Sequence, residues 1–185
     1  MNTLKLTPTI DIDELAWPNE ELDLTTSSPA VHFLVDFKKT RPQTLKANLS
    51  AVEARRLMQA ADVSTEVILD DAGRFLGIIS ADDIIERKIT KKVSEGHRRS
   101  EILATDFMIP KRALRTIGYD EICKATIAEV IETLKQSGKP HCLVIDREDH
   151  LIRGIFSAVD ISAKLQMPIH IQEKSDFYRI HTAAH

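Results

Sequence analysis

Apolar and polar positions run through the same order twice along this chain. In the first pass, residues 53–61 are good helix formers with Val52, Leu57 and Met58 near one face, which predicts a helix. Residues 64–70, with Val67, Ile68 and Leu69 inside, predict a strand. Asp71 to Gly73 predict a turn and residues 75–79 a second strand. A helix is then expected from Ala81, with Ser80 as its N-cap. In the second pass, residues 127–135 are amphipathic and stop at Gly138, as a left-handed cap would stop them. A strand over 141–146, a turn at 147–150, a strand over 151–156 and a helix over 158–166 follow. Ser157 is the expected cap of that last helix and Pro168 its end.

One phrase marks the same place in both passes. Gly77-Ile78-Ile79-Ser80-Ala81-Asp82-Asp83 returns as Gly154-Ile155-Phe156-Ser157-Ala158-Val159-Asp160. Internal self-similarity of this kind settles architecture before any single segment does. Asp70 aligns with Asp146, so the second hairpin is one residue longer. A strand is also expected ahead of each pass, over 31–35 and over 105–109, and Asp36-Phe37 and Asp106-Phe107 share a dipeptide there. Each unit then reads strand, helix, strand, strand, helix. Neither unit is long enough to bury a good core alone, whereas two packed sheet to sheet are.

These readings divide the chain into an irregular acidic arm over 1–30, one unit over 31–95, a second over 96–168 and a tail over 169–185. A charged connector at 86–101 joins the two units, and the second holds an insert at 117–124, where Asp120 to Ile122 suit a short helical turn. The arm carries six acids and no base between Asp11 and Asp23, and its Trp17 suits a covered position. The tail holds residues 173–180, which suit one more amphipathic helix.

Composition narrows the function classes. At 43% hydrophobic and 29% charged, with a formal net charge of −3, nothing global draws the chain to nucleic acid or to an acidic membrane. No long apolar run is present, and the early acids stand where an export signal would need apolar residues, so a cytoplasmic protein without a membrane anchor is expected. Cys123 and Cys142 have no metal-type spacing and are expected as reduced thiols, Cys142 as a small core residue. No phosphate-binding Gly-rich loop, nucleophile elbow or His-Glu-x-x-His occurs, so no enzyme is expected.

The duplicated unit, its hairpin ending in Gly-apolar-apolar-Ser and the Asp three residues after that Ser resemble a CBS domain, and two in tandem resemble a CBS pair, the Bateman module. The resemblance covers about residues 31–168. It implies an α/β (α+β) fold of two tandem βαββα repeats packed as a pseudo-two-fold pair, and a stand-alone regulatory protein that forms a homodimer. It implies that AMP, ADP, ATP or S-adenosylmethionine binds in a cleft between repeats and that the state is passed to a protein partner in trans. Carried over by motif position, Asp83 and Asp160 would hold ribose. Ser80 and Ser157, with the adjoining Ala81 and Ala158, would lie beside the ribose or phosphates, and Thr65 and His141 near the adenine. The chain departs from the family where a hydroxyl commonly precedes Pro: Ile109 precedes Pro110, and the stretch from Asp36 to Pro42 is a looser match.

The residues support that chemistry independently. A ribose diol offers two donors, and one carboxylate can accept both. A helix beginning after Ser80 or Ser157 offers unpaired N–H groups to phosphate. Ile78, Ile79, Ile155 and Phe156 suit the faces of a purine. The same Ser-x-x-Asp spacing is also a capping box, which merely starts a helix, and the two readings are compatible. As a catalytic pair the two Asp residues are unsuited, since repeat symmetry predicts equivalent environments while acid–base pairs need separated pKa values. The basic run from Arg87 to Arg99 suits either a polyanion or, with Glu86, Glu95 and Glu101 interleaved, a solvated helix face. A ligand-free scaffold that dimerises and docks a partner is the alternative of a different class, with nucleic-acid binding through the connector behind it.

Overall fold

A computed structural model describes residues 23–172, so Trp17, most of the acidic arm and the helix expected over 173–180 lie outside the described residues. The strands are β1 (Val35–Asp36), β2 (Thr44–Lys46), β3 (Thr65–Leu69), β4 (Phe75–Ser80), β5 (Ile109–Pro110), β6 (Thr116–Gly118), β7 (His141–Asp146) and β8 (Leu151–Ser157). The α-helices are α1 (Ala51–Ala61), α2 (Glu86–Ser94), α3 (Tyr119–Ile122), α4 (Ile127–Ser137) and α5 (Ala158–Leu165). They form two four-stranded sheets, one in the order β2-β3-β4-β5 and the other β1-β8-β7-β6. This is the α/β pair of tandem repeats expected from the duplication.

Local chemistry sets the element ends. Ser50 caps α1 by accepting from the Glu53 N–H at 3.2 Å, and Asp62 closes the helix in a left-handed conformation. Thr126 and Glu129 form a capping box on α4, which Gly138 ends at φ 65°. In the β3–β4 turn, the Asp70 carboxylate accepts from the N–H groups of Ala72 and Arg74, both at 2.9 Å. Three apolar clusters result. Leu45, Met58, Ile68, Ile79 and Ile84 pack the first sheet against its helices. Val130, Leu134, Val144, Phe156 and Ile161 do so in the second. Ile78, Leu114, Leu143 and Ile155 fill the layer between the sheets.

That partition decides the fate of the repeated apolar pair. Strand alternation sends Ile78 and Ile155 into the layer between sheets and Ile79 and Phe156 toward the helices. All four are buried in packed clusters as core residues, and Ile78 and Ile155 alone of them face the layer between the repeats.

The leading strands also differ from the expected ones. Within 31–35 only Val35 is in a strand, after a 3-10 turn (Ala30–His32), and within 105–109 only Ile109 is, after another (Ala104–Asp106). The short strands that follow them cross over: β1 pairs antiparallel with β8, and β5 with β4, so each repeat lends its first strand to the other's sheet. The strand lying parallel to β3 is β2, which the polar Thr44 and Lys46 conceal in the sequence. Its counterpart β6 opens the insert expected at 117–124, and α3 is the short helical turn expected there. The shared Asp-Phe dipeptide is not an equivalence. Asp36 lies in β1, whereas Asp106 closes a 3-10 turn by accepting from the Leu103 N–H at 2.9 Å.

Glycine in the repeated phrase answers to this exchange. A Cβ on Gly154 would stand 2.5 Å from the Val35 carbonyl oxygen and 2.7 Å from Leu34 Cδ1, and one on Gly77 would overlap the Ile109 carbonyl. The exchanged strand can approach only because no side chain is there. Ahead of β1, the segment from Thr25 docks on the second repeat. Ala30 donates to the Ala125 carbonyl, Ile127 to that of Ser28 and Ala128 to that of Thr26, each at 2.9 Å.

Candidate functional site

Both copies of the phrase end where a strand hands over to a helical turn, and the register brings those ends together. Thr65 faces Ser80 across β3–β4, and His141 faces Ser157 across β7–β8. All four continue the rows that carry Ile78 and Ile155, so they occupy one end of the layer between the sheets. Thr65 Oγ1 and His141 Nε2, from opposite repeats, are in hydrogen-bond contact at 3.3 Å. The six candidate residues thus form two corresponding sets at this end of the layer, Thr65, Ser80 and Asp83 from the first repeat and His141, Ser157 and Asp160 from the second. Ala81 and Ala158 head the turns that follow, the former exposed and the latter buried.

The two carboxylates do not have the equivalent environments that repeat symmetry predicts. Asp83 is buried, 9% exposed, and Oδ2 accepts from both the Ser80 N–H, at 3.2 Å, and the Ser80 hydroxyl, at 2.7 Å. Lys88 Nζ lies 3.6 Å from Asp83 Oδ1 and donates to the Asp82 carbonyl at 2.8 Å. Asp160 is half-buried and reaches to the other repeat, where Ser64 Oγ donates to its Oδ1 at 2.6 Å.

The helical turns differ as well. Ser80 leads not into an α-helix but into a 3-10 turn (Ala81–Ile84), broken by the extended Ile85 before α2 begins. Ser157 stands at the N-cap of α5 but makes no capping bond, and the helix ends at Leu165 with Gln166 left-handed. The Ser157 hydroxyl is 2% exposed on its residue and has no hydrogen-bond partner among the described residues. Leaving such a group unsatisfied costs about 1–3 kcal/mol. The capping role allowed by the sequence is therefore taken by Asp83 in the first copy and left unfilled by Ser157 in the second.

One position along, the strands turn the opposite face to the helices. Glu66 follows Thr65 there, 4% exposed, and burial pushes its carboxyl pKa up; it makes no hydrogen bond or ion pair among the described residues. Cys142 follows His141, and burial pushes its thiol up to about 12, which makes it a core group and not a nucleophile at neutral pH. Among the described residues no cluster of His, Cys, Asp and Glu could hold a metal ion, and no helix is long and apolar enough to cross a membrane.

Two participants lie outside the motif positions. Ser64 precedes β3 and carried no sequence signal of its own. Lys88 stood in the basic connector, five residues after Asp83, and α2 brings it back to that carboxylate. Other connector bases have acidic partners: Arg99 with Glu86 at 2.6 Å, Lys91 with Glu95 at 3.9 Å and Arg98 with Glu101 at 3.6 Å.

The CBS domain family model matches residues 35–89 and 106–166. No curated protein matches the chain. Among solved structures, the chain resembles an uncharacterized conserved protein from Pyrococcus horikoshii at 21% identity and a TM-score of 0.55, covering 80% of this chain and 98% of that one. It also resembles a hemolysin-like protein containing a CBS domain from Oenococcus oeni PSU, at 15% identity and a TM-score of 0.52, over 76% of this chain and 91% of that one. At these identities the likeness is one of fold. With matches over both repeats and more than half of its length, the chain belongs to the CBS domain family.

Proposed function

We propose that this CBS-domain pair is a regulatory module that binds an adenosyl ligand, AMP, ADP, ATP or S-adenosylmethionine, between its repeats. As a homodimer it then signals the bound state to a protein partner. The observation that carries the reading is the arrangement around Asp160. A half-buried carboxylate with Oδ2 unengaged among the described residues stands three positions after a buried, unpartnered Ser157 hydroxyl at the start of α5. A ribose diol supplies the two donors that the carboxylate can accept. The first-turn N–H groups of α5 suit an electron-rich 5′ substituent, and Thr65 and His141 supply polar atoms for a base edge.

The mechanism that fits is competition across the repeats. Ser64 already donates to Asp160 Oδ1, so a diol that engages this carboxylate must share or displace a contact that joins the two halves. A ligand shifts the relative orientation of the halves only by its differential affinity for the two arrangements. Micromolar binding, about −8 kcal/mol, leaves ample room for such a difference.

Isothermal titration calorimetry with adenosine, AMP, ADP, ATP and S-adenosylmethionine tests this. Binding of at least one ligand is expected, weakened about tenfold or more by Asp160→Ala and by use of the 2′-deoxy analogue. Absence of heat and of thermal stabilisation with all five would refute the sensor reading in favour of a ligand-free scaffold.

A further inference from the structure

The two repeats differ where their last helices end. The chain leaving α2 turns onto the start of α1, where the Ala51 N–H donates to the Ile102 carbonyl at 2.8 Å and the Ala104 N–H to that of Leu49 at 2.9 Å. The same place beside α4 is filled from the other end of the sequence: Ile127 donates to the Ser28 carbonyl and Ala30 to that of Ala125, each at 2.9 Å. The caps of α1 and α4 make the corresponding bridges, Ser50 to Leu103 and Thr126 to Pro29. The chain leaving α5 is therefore barred from the connector's course. It is anchored instead by Ile169 and Ile171, which pack against the second repeat's apolar cluster, while His170 and Gln172 are exposed.

The outer face of α5 lies open beside that anchor. Of the five large apolar side chains exposed among the described residues, two are Val159, at 51%, and Met167, at 40%. Val159 and the exposed Ala163 are one turn apart on α5. Met167 is held at the end of the helix, its N–H donating to the Ser162 carbonyl at 3.1 Å and its carbonyl accepting from Ser162 Oγ at 2.7 Å. The spacing of the repeated phrase puts Asp82, Glu86 and Thr90 at these three positions in the first repeat. The face is thus apolar only in the repeat that residues 173–185 follow. An interface that used both repeats alike would have made both faces apolar.

We propose that this face docks residues 173–185 of the same chain. That segment carries Phe177, Ile180 and Ala184 at helical spacing, with Glu173, Lys174, Asp176 and Arg179 among the positions between. Glu173 directly follows the anchored stretch, so the segment begins a few residues from Met167. A chain tethered this closely meets its own face at a high effective concentration, ahead of a separate molecule. Phe177 and Ile180 then cover Val159 and Met167 and remove apolar surface from water on both sides. The docking needs no ligand and does not depend on adenosyl binding.

Amide exchange read by mass spectrometry on the full chain tests it. Residues 174–181 should exchange at least about tenfold more slowly than an unstructured segment, at low and at high protein concentration alike. Val159→Lys and Phe177→Ser should each cut that protection about fivefold or more, and Val159→Ile should keep it, with unchanged exchange in β7 showing that the fold is intact. Unprotected exchange over 174–181 in the wild-type chain would overturn the proposal. So would protection that neither Val159→Lys nor Phe177→Ser lowers. Protection present only at high concentration would overturn it too, because a second copy would then be the occupant of the face.

Discussion

Ser64 Oγ donates to Asp160 Oδ1 at 2.6 Å, joining the residue just before β3 in one repeat to helix α5 of the other. The acceptor is charged and half-buried, so the bond should be worth more than an exposed one. A double-mutant cycle of Ser64→Ala and Asp160→Ala in urea denaturation should return a coupling of about 1–2 kcal/mol. Additive single effects would mean that the contact between the halves does not form in solution.

Asp36 and Arg153 fasten the exchanged strand. The pair is bidentate, at 2.9 and 3.1 Å, with side chains only 8% and 14% exposed, and the guanidinium lies 3.8 Å over the Tyr119 ring. Asp36→Ala leaves the largely buried guanidinium with the longer 3.9 Å contact to Asp146, so it should cost about 3 kcal/mol, read from urea denaturation.

The same pair sets an acid limb. The Arg153 hydrogen bond holds the Asp36 carboxyl below its ordinary value, outweighing burial. A lowered folded pKa gives stability that is present above the unfolded value, about 3.9, and lost as pH falls through the folded one. Denaturant midpoints measured from pH 6 to pH 3 should fall less steeply for Asp36→Ala than for wild type.

Glu66 should act with the opposite sign. Burial raises its pKa, so its contribution is fully present below about pH 4.3, the unfolded value, and is lost as pH rises through the folded one. Glu66→Gln should remove that loss and make the protein about 1 kcal/mol more stable at pH 7 to 8. Midpoints for the two proteins that stay parallel across pH 4 to 8 would show that Glu66 is solvated in the native state.

Gly154→Ala should loosen the β1–β8 pairing, because the new Cβ meets backbone at Val35 and the side chain of Leu34. A loss of about 1–3 kcal/mol is expected, with faster amide exchange in β1 than in β7. Unchanged exchange in β1 would count against the close approach seen here.

Much of this was determined by sequence alone. The helix–strand–strand order, the left-handed end of α4 at Gly138, and the two phrases ending in Asp83 and Asp160 rest on interactions within a few residues, and local pattern carries such interactions faithfully. Tertiary structure alone decided what those phrases touch. It exchanged β1 and β5 between sheets, because strands of two residues have no periodicity and find partners only through shape, here the gap left by Gly77 and Gly154. It also broke the equivalence of the two aspartates. Asp83 finds its donors in its own turn and in Lys88, whereas Asp160 finds Ser64 across the interface, and no spacing along the chain records a contact made by the packing of one repeat on the other.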